Sequence, residues 1–157
     1  MPSRRSEIEM TPAEIRTYLH EQNRLILTSN GPDGYPHPMP MNFCVDDQDR
    51  VVITTFRKSQ KVKNFQRDPR AALLVESGLS YQDIKSVLMY AHAEIIDEEA
   101  VVLATMQQLG RKAAGYSEVT SEEAQAQIRA SVPKRVVIRF KPTKYVSWDH
   151  TKLRGRY

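Results

Sequence analysis

One cysteine, Cys44, is present in 157 residues, so no intrachain disulfide framework can form. The four histidines are scattered and, with that single thiol, give no metal-ligand spacing. No apolar run approaches the roughly 18 residues of a membrane span. The N-terminal MPSRRSEIEM carries basic residues without the apolar stretch that a secretory signal places after them. The expectation is a soluble, cytoplasmic chain. Internal repeats, low-complexity tracts and linkers are also lacking, so residues 1–157 read as a single domain.

What is there suits a globular fold: 40% hydrophobic and 27% charged residues, enough to bury a core at this length. A net charge of +4 permits nucleic-acid binding, and basic residues cluster at 57–70 and 134–156. Zinc-finger spacing, an RNP-like motif and a helix-turn-helix pair are all missing, so nucleic acid is not the expected partner.

The most informative stretch is VVITTFRKSQKVKNFQRDPR, residues 51–70. A β-type run from Val51 to Phe56 gives way to a helix with Ser59 at its N-cap, stopped by Asp68-Pro69. Lys61 and Lys63 fall in the first helical turn, where the macrodipole is already positive and each cation costs roughly 0.3–1 kcal/mol. An anion between those lysines and the free backbone N–H groups would reverse that cost, and a phosphate has the right chemistry. The alternative is that both lysines point into water and solubilise a surface helix.

Elsewhere, Thr11-Pro12-Ala13-Glu14 combines an N-cap, proline at the first helical position and a capping-box glutamate. Leu25–Ser29 and Tyr35–Val45 read as a hairpin around Asn30-Gly31-Pro32-Asp33-Gly34. Prolines 36, 38 and 40 repeat every second residue, so that second strand is expected to be an edge or to border something other than another strand. Ala71–Glu76 reads as a further apolar strand. Within Ser86–Ile95, Val87, Met89, Ala91, Ala93 and Ile95 share one face. Helices are expected over 98–114 and 121–130, and strands over Arg135–Phe140 and Lys144–Trp148. Consecutive strands without regular β-α alternation indicate α+β: an antiparallel barrel of six to seven strands with peripheral helices.

The order G-x-P-H-P-x-P-x-N (34–42), T-T (54–55), S-x-K-x-x-N (59–64) and R-D-P-R (67–70) resembles the flavin-binding split-barrel superfamily, the pyridoxamine 5′-phosphate oxidase-like proteins. Blocks at 78–81 and 147–153 resemble it too, particularly its small members related to deazaflavin-dependent reductases. The resemblance implies a split barrel that dimerises, with two FMN or deazaflavin sites at the subunit interface. Carried over by position, Ser59 and Lys61 hold the cofactor phosphate, with Lys58 and Asn64 beside them. Thr54 and Thr55 line the ring and ribityl chain, and the Met39–Asn42 segment, Met41 and Asn42 included, faces the isoalloxazine. Trp148, with Lys152 or Arg154, reaches across the dimer to cofactor or substrate. The extra cations Arg57, Lys58, Lys63 and Arg67 could receive the polyglutamate tail of coenzyme F-420, although FMN is preferred. The C-terminal arginine-histidine pattern of the oxidase that makes pyridoxal phosphate is not reproduced here. The implied activity is therefore hydride transfer to some other small conjugated molecule.

This reading also accounts for the lack of a Ser-His-Asp, Cys-His or paired-carboxylate signature, because the cofactor carries the chemistry. Non-catalytic storage of flavin or heme is the alternative. Several residues have plainer readings: Thr54 and Thr55 as strand formers, Trp148 as a core or interface anchor, and Asn64 as a local bridge. His37 reads as an exposed loop residue, His92 as facing solvent or a neighbouring strand, and Cys44 as a small buried hydrophobe.

Overall fold

Thr11 starts the first long helix as its side chain dictates. The structure is a computed structural model that describes residues 5–115 and 121–155. A short helix α1 (Arg5–Ile8) precedes α2 (Pro12–Glu21). At the start of α2 the Glu14 N–H donates to the Thr11 hydroxyl at 3.3 Å, and the Thr11 N–H donates to the Glu14 carboxylate at 2.7 Å.

Strands β1 (Arg24–Asn30) and β2 (Pro36–Asn42) form the expected hairpin. Beyond its two ends the Gly31 N–H donates to the Tyr35 carbonyl and the Phe43 N–H to the Asn23 carbonyl. That phase puts odd-numbered residues of β2 in the hydrogen-bonded positions, so Pro36, Pro38 and Pro40 lose no ladder bond. The strand is at an edge of the sheet, as the prolines require. It is also shorter than the sequence suggests, because Phe43 turns the chain and the next two residues form a separate strand, β3 (Cys44–Val45).

The remaining elements are β4 (Val51–Phe56), α3 (Gln60–Arg67), β5 (Arg70–Ser77), β6 (Lys85–Ile96), α4 (Glu99–Ala113), α5 (Glu122–Ser131) and β7 (Arg135–Asp149). All seven strands form one antiparallel sheet in the order β2-β1-β5-β6-β7-β4-β3. Its two outermost strands are therefore joined by Phe43 alone. The sheet must curl until its ends meet at that residue, which is 1% exposed. This is the expected split barrel.

The barrel core holds Leu25, Leu27, Phe43, Ile53, Leu73, Val75, Val87, Met89, Ile138 and Phe140, with Val62 and Phe65 of α3 closing one end. A smaller cluster of Cys44, Val52, Val102, Val132 and Val137 fixes α4 against the opposite face of β4. Residues 51, 53 and 55 of β4 thus point into the barrel, and 52 and 54 toward α4. The alternation expected in β6 is present, with Val87, Met89 and Ala91 buried and His92 exposed.

The last two strands are one. Proline at 142 does not interrupt β7, because Tyr90 pairs with Lys144 and Ala91 with Pro142, leaving Thr143 as the extra residue of a bulge. The Thr143 hydroxyl donates to the Tyr90 carbonyl at 3.1 Å and holds the bulge in place.

Candidate functional site

Two adjoining features, on opposite faces of β4, collect most of the residues that the sequence singles out. The first is the junction of β4 with α3. Ser59 stands at the N-cap in extended conformation, but its hydroxyl caps nothing; it lies 3.3 Å from the Thr55 hydroxyl. The Lys61 Nζ donates to the same Thr55 oxygen at 3.1 Å. No carboxylate pairs with Lys61 among the described residues, and burial pushes its pKa below the ordinary lysine value. The first turn of α3 contains no acidic residue. The Ser59 and Val62 N–H groups are taken by the Phe56 and Ser59 carbonyls, so the Gln60 and Lys61 N–H groups are the ones that add to the positive end of the dipole. The junction can hold an anion with an ammonium, two hydroxyls and backbone donors.

The second feature is a cleft of about 480 Å³ lined by Arg24, Pro40, Met41, Asn42, Thr54, Leu109 and Arg135. Its floor is the line along which the barrel splits, where β2 ends and β4 passes. Thr54 faces this cleft and Thr55 faces the junction, so the two are joined at consecutive residues of one strand. A second cavity, about 360 Å³ between α2 and the far half of β7, contains none of the nine candidate residues.

Of those nine, Met41, Asn42 and Thr54 meet in the cleft, and Thr55, Ser59 and Lys61 meet at the junction. Lys58 is exposed beside them. Asn64 has a local task instead. It is fully buried, donates to the Ser29 hydroxyl at 2.9 Å, and accepts from Gln60 at 2.9 Å and from Arg67 at 3.3 Å. Trp148 is half-buried opposite Ser86. Thr54 pairs with Val137, so Trp148 lies about 35 Å further along β7. Within one protomer it does not join the cleft.

The extra cations also divide. Arg57 pairs with Asp97 and reaches the carbonyls of Pro133 and Arg135, and Arg67 donates to the Asn30 carbonyl at 2.5 Å. Lys58 and Lys63 stay exposed at the helix start. Lys152 is taken up by Glu14 and the Glu9 carbonyl, both at 2.8 Å. His37 is not an exposed loop residue. It lies in β2 opposite Ser29, half-buried, and its Nδ1 has no hydrogen-bond partner among the described residues. Cys44 is buried and inert, its thiol pushed up to about 12 by burial.

Sequence reasoning missed Arg24, Leu109 and Arg135. Arg135 is in a basic cluster and Leu109 on an apolar stripe, but neither position shows that α4 and the start of β7 wall a cleft begun by β2.

The pyridoxamine 5′-phosphate oxidase family model matches residues 11–149. The chain belongs to that family. Among solved structures, a conserved hypothetical protein from Mycobacterium tuberculosis is 30% identical, with a TM-score of 0.88 over 99% of this chain and 94% of the other. An F420 reductase is 22% identical, TM-score 0.65, over 83% of this chain and 94% of that one. HutZ, a heme storage protein from Vibrio cholerae, is 14% identical, TM-score 0.64, over 87% and 94%. The last two likenesses show the shared fold. A search of curated proteins finds no match.

Proposed function

We propose that this family member is a flavin-dependent oxidoreductase, binding FMN and transferring hydride to or from a small conjugated substrate. The observation that carries the reading is Lys61: a half-buried ammonium whose one hydrogen-bond partner among the described residues is the Thr55 hydroxyl, beside the Ser59 hydroxyl and a helix start without acids. Removing such a charge from water is unfavourable unless an anion joins it, and a phosphate monoester supplies charge and acceptor oxygens together. The residues present therefore fit the phosphate end of the cofactor. Those of the cleft fit its ring: Met41 and Leu109 give apolar contact, while Asn42 and Thr54 give polar edges, in a volume typical of small-molecule sites.

The bound flavin supplies the hydride chemistry. The chain's own part is to anchor the phosphate through Lys61, Ser59 and Thr55, to position the ring against Met41 and Asn42, and to keep water from the cleft with Leu109. Lys58 and Lys63, exposed at the same helix start, favour a second reading in which the cofactor is a deazaflavin whose anionic tail extends toward them.

The outer face of the sheet supports a homodimer with sites at the interface. Across the strands run two rows, Pro40-Ile26-Leu74-Leu88-Val146 and, below it, Ser86-Trp148. Ile26 is 37% exposed, and Leu74, Leu88, Val146 and Trp148 are all half-buried. Such an uncovered apolar face suits self-association by a two-fold axis, which would carry one protomer's Trp148 toward its partner's cleft.

The deciding experiment is the visible spectrum of the purified protein, followed by mass spectrometry of whatever chromophore acid releases. Release of FMN supports the first reading and release of deazaflavin the second. A Soret band would favour heme storage. Failure to bind FMN or F-420 in titration would overturn the proposal.

A further inference from the structure

Lys112, near the end of α4, is 5% exposed. Its Nζ donates to the Leu19 carbonyl at 3.1 Å and sits 4.1 Å above the centre of the Phe43 ring. It forms no ion pair among the described residues, and the buried thiol of Cys44, neutral, brings no compensating charge. An ammonium has three donors, and the carbonyl uses one. Desolvation lowers its pKa to about 8, which is the response of a charge that lacks a counterion.

Lys112 and the Phe43 ring beneath its Nζ both border a small cavity of about 130 Å³, lined by Asn23, Asn42, Phe43, Leu109, Lys112 and Ala113. Asn42 and Leu109 also line the larger cleft, so the two spaces adjoin. Two asparagines and a lysine thus converge on a pocket that opens beside the proposed ring position. Among the described residues no carboxylate lines either space, whereas Arg24 and Arg135 line the larger one. The field across both is positive and favours an anion.

Size selects the ligand. At about 130 Å³ the cavity is under a third of the 480 Å³ cleft, a size that suits a carboxylate head group with a carbon or two. A tricyclic flavin ring cannot enter. We propose that this cavity is a carboxylate subsite, in which Lys112, Asn23 and Asn42 hold the carboxylate of a small unsaturated acid while the rest of that molecule lies in the larger cleft. The inference rests on the oxidoreductase reading and gives its substrate a class.

The test uses the full chain, with and without FMN, and trans-cinnamate as probe, its aromatic end suited to the larger cleft. Acetylation of each lysine by acetic anhydride is followed by peptide mass spectrometry. With cinnamate at about ten times its dissociation constant, modification of Lys112 is expected to slow about tenfold, with Lys134 and Lys141 unaffected. Cinnamyl alcohol, which lacks the charge, should not protect. Lys112→Met should weaken cinnamate binding by about ten- to a hundredfold. Asn23→Ala, at an exposed position, should weaken it a few-fold and serves if the first variant does not fold. Equal binding of acid and alcohol, or an unprotected Lys112, would overturn the subsite. Flavin binding without protection would sink the subsite alone, and protection without flavin binding the oxidoreductase reading alone.

Discussion

A half-buried lysine is informative because its charge has to be answered by something. Lys61→Ala should weaken FMN binding by about ten- to a hundredfold, read by fluorescence titration, while Lys61→Arg should keep part of the affinity. Because burial lowers the Lys61 pKa, the free protein loses this charge at a lower pH than an ordinary lysine would. Affinity should therefore decline as pH rises into the alkaline range, and the decline should be absent in Lys61→Ala. This site was legible in the sequence, since Thr55, Ser59 and Lys61 meet within seven residues and strand-to-helix geometry brings them together. Asn64 was not, because its amide is consumed by Ser29, 35 positions away. Lys112 was invisible for the same reason: its burial depends on the Leu19 carbonyl, 93 positions away.

Among the elements, α2 depends most openly on its first turn. Thr11→Ala removes one side of the capping box and should lower stability by about 1 kcal/mol in urea denaturation. Glu14 serves two partners, the Thr11 N–H and Lys152 of the C-terminal turn. The hydrogen bond from Lys152, with that from Thr11, lowers its pKa from 4.5 to about 2. A carboxyl lowered on folding adds stability above its unfolded value and loses it as pH falls toward the folded one. The tie between α2 and the chain's end should thus weaken between about pH 4.5 and 2, and Glu14→Gln should flatten that part of the acid unfolding curve. The cap was readable because all its parts are local. The continuity of β7 was not, since Pro142 argues for a break and only the pairing of Tyr90 and Ala91 across the sheet shows that a bulge absorbs it.

For the molecule as a whole, the uncovered rows on the outer face predict the state of assembly. Light scattering should give a dimer, and Ile26→Arg combined with Leu88→Arg should give a monomer whose FMN affinity falls as well, although neither residue lines the cleft. The class of fold could be read from the sequence because strand order, hairpin and helix insertions are each encoded locally. Closure could not, since nothing in the residues around Phe43 states that this one residue joins the two ends of a seven-stranded sheet.

The proline spacing of β2 bears on how this chain behaves in crowded solution. Carbonyls of Pro36, Pro38 and Pro40 point outward from the free edge, with no N–H between them until Asn42. An incoming strand needs donors and acceptors in alternation, and here it finds acceptors only. The edge therefore cannot serve as a template for fibril growth. Replacing all three prolines by threonine should leave the β1–β2 ladder intact, yet shorten the lag before thioflavin-positive aggregates appear.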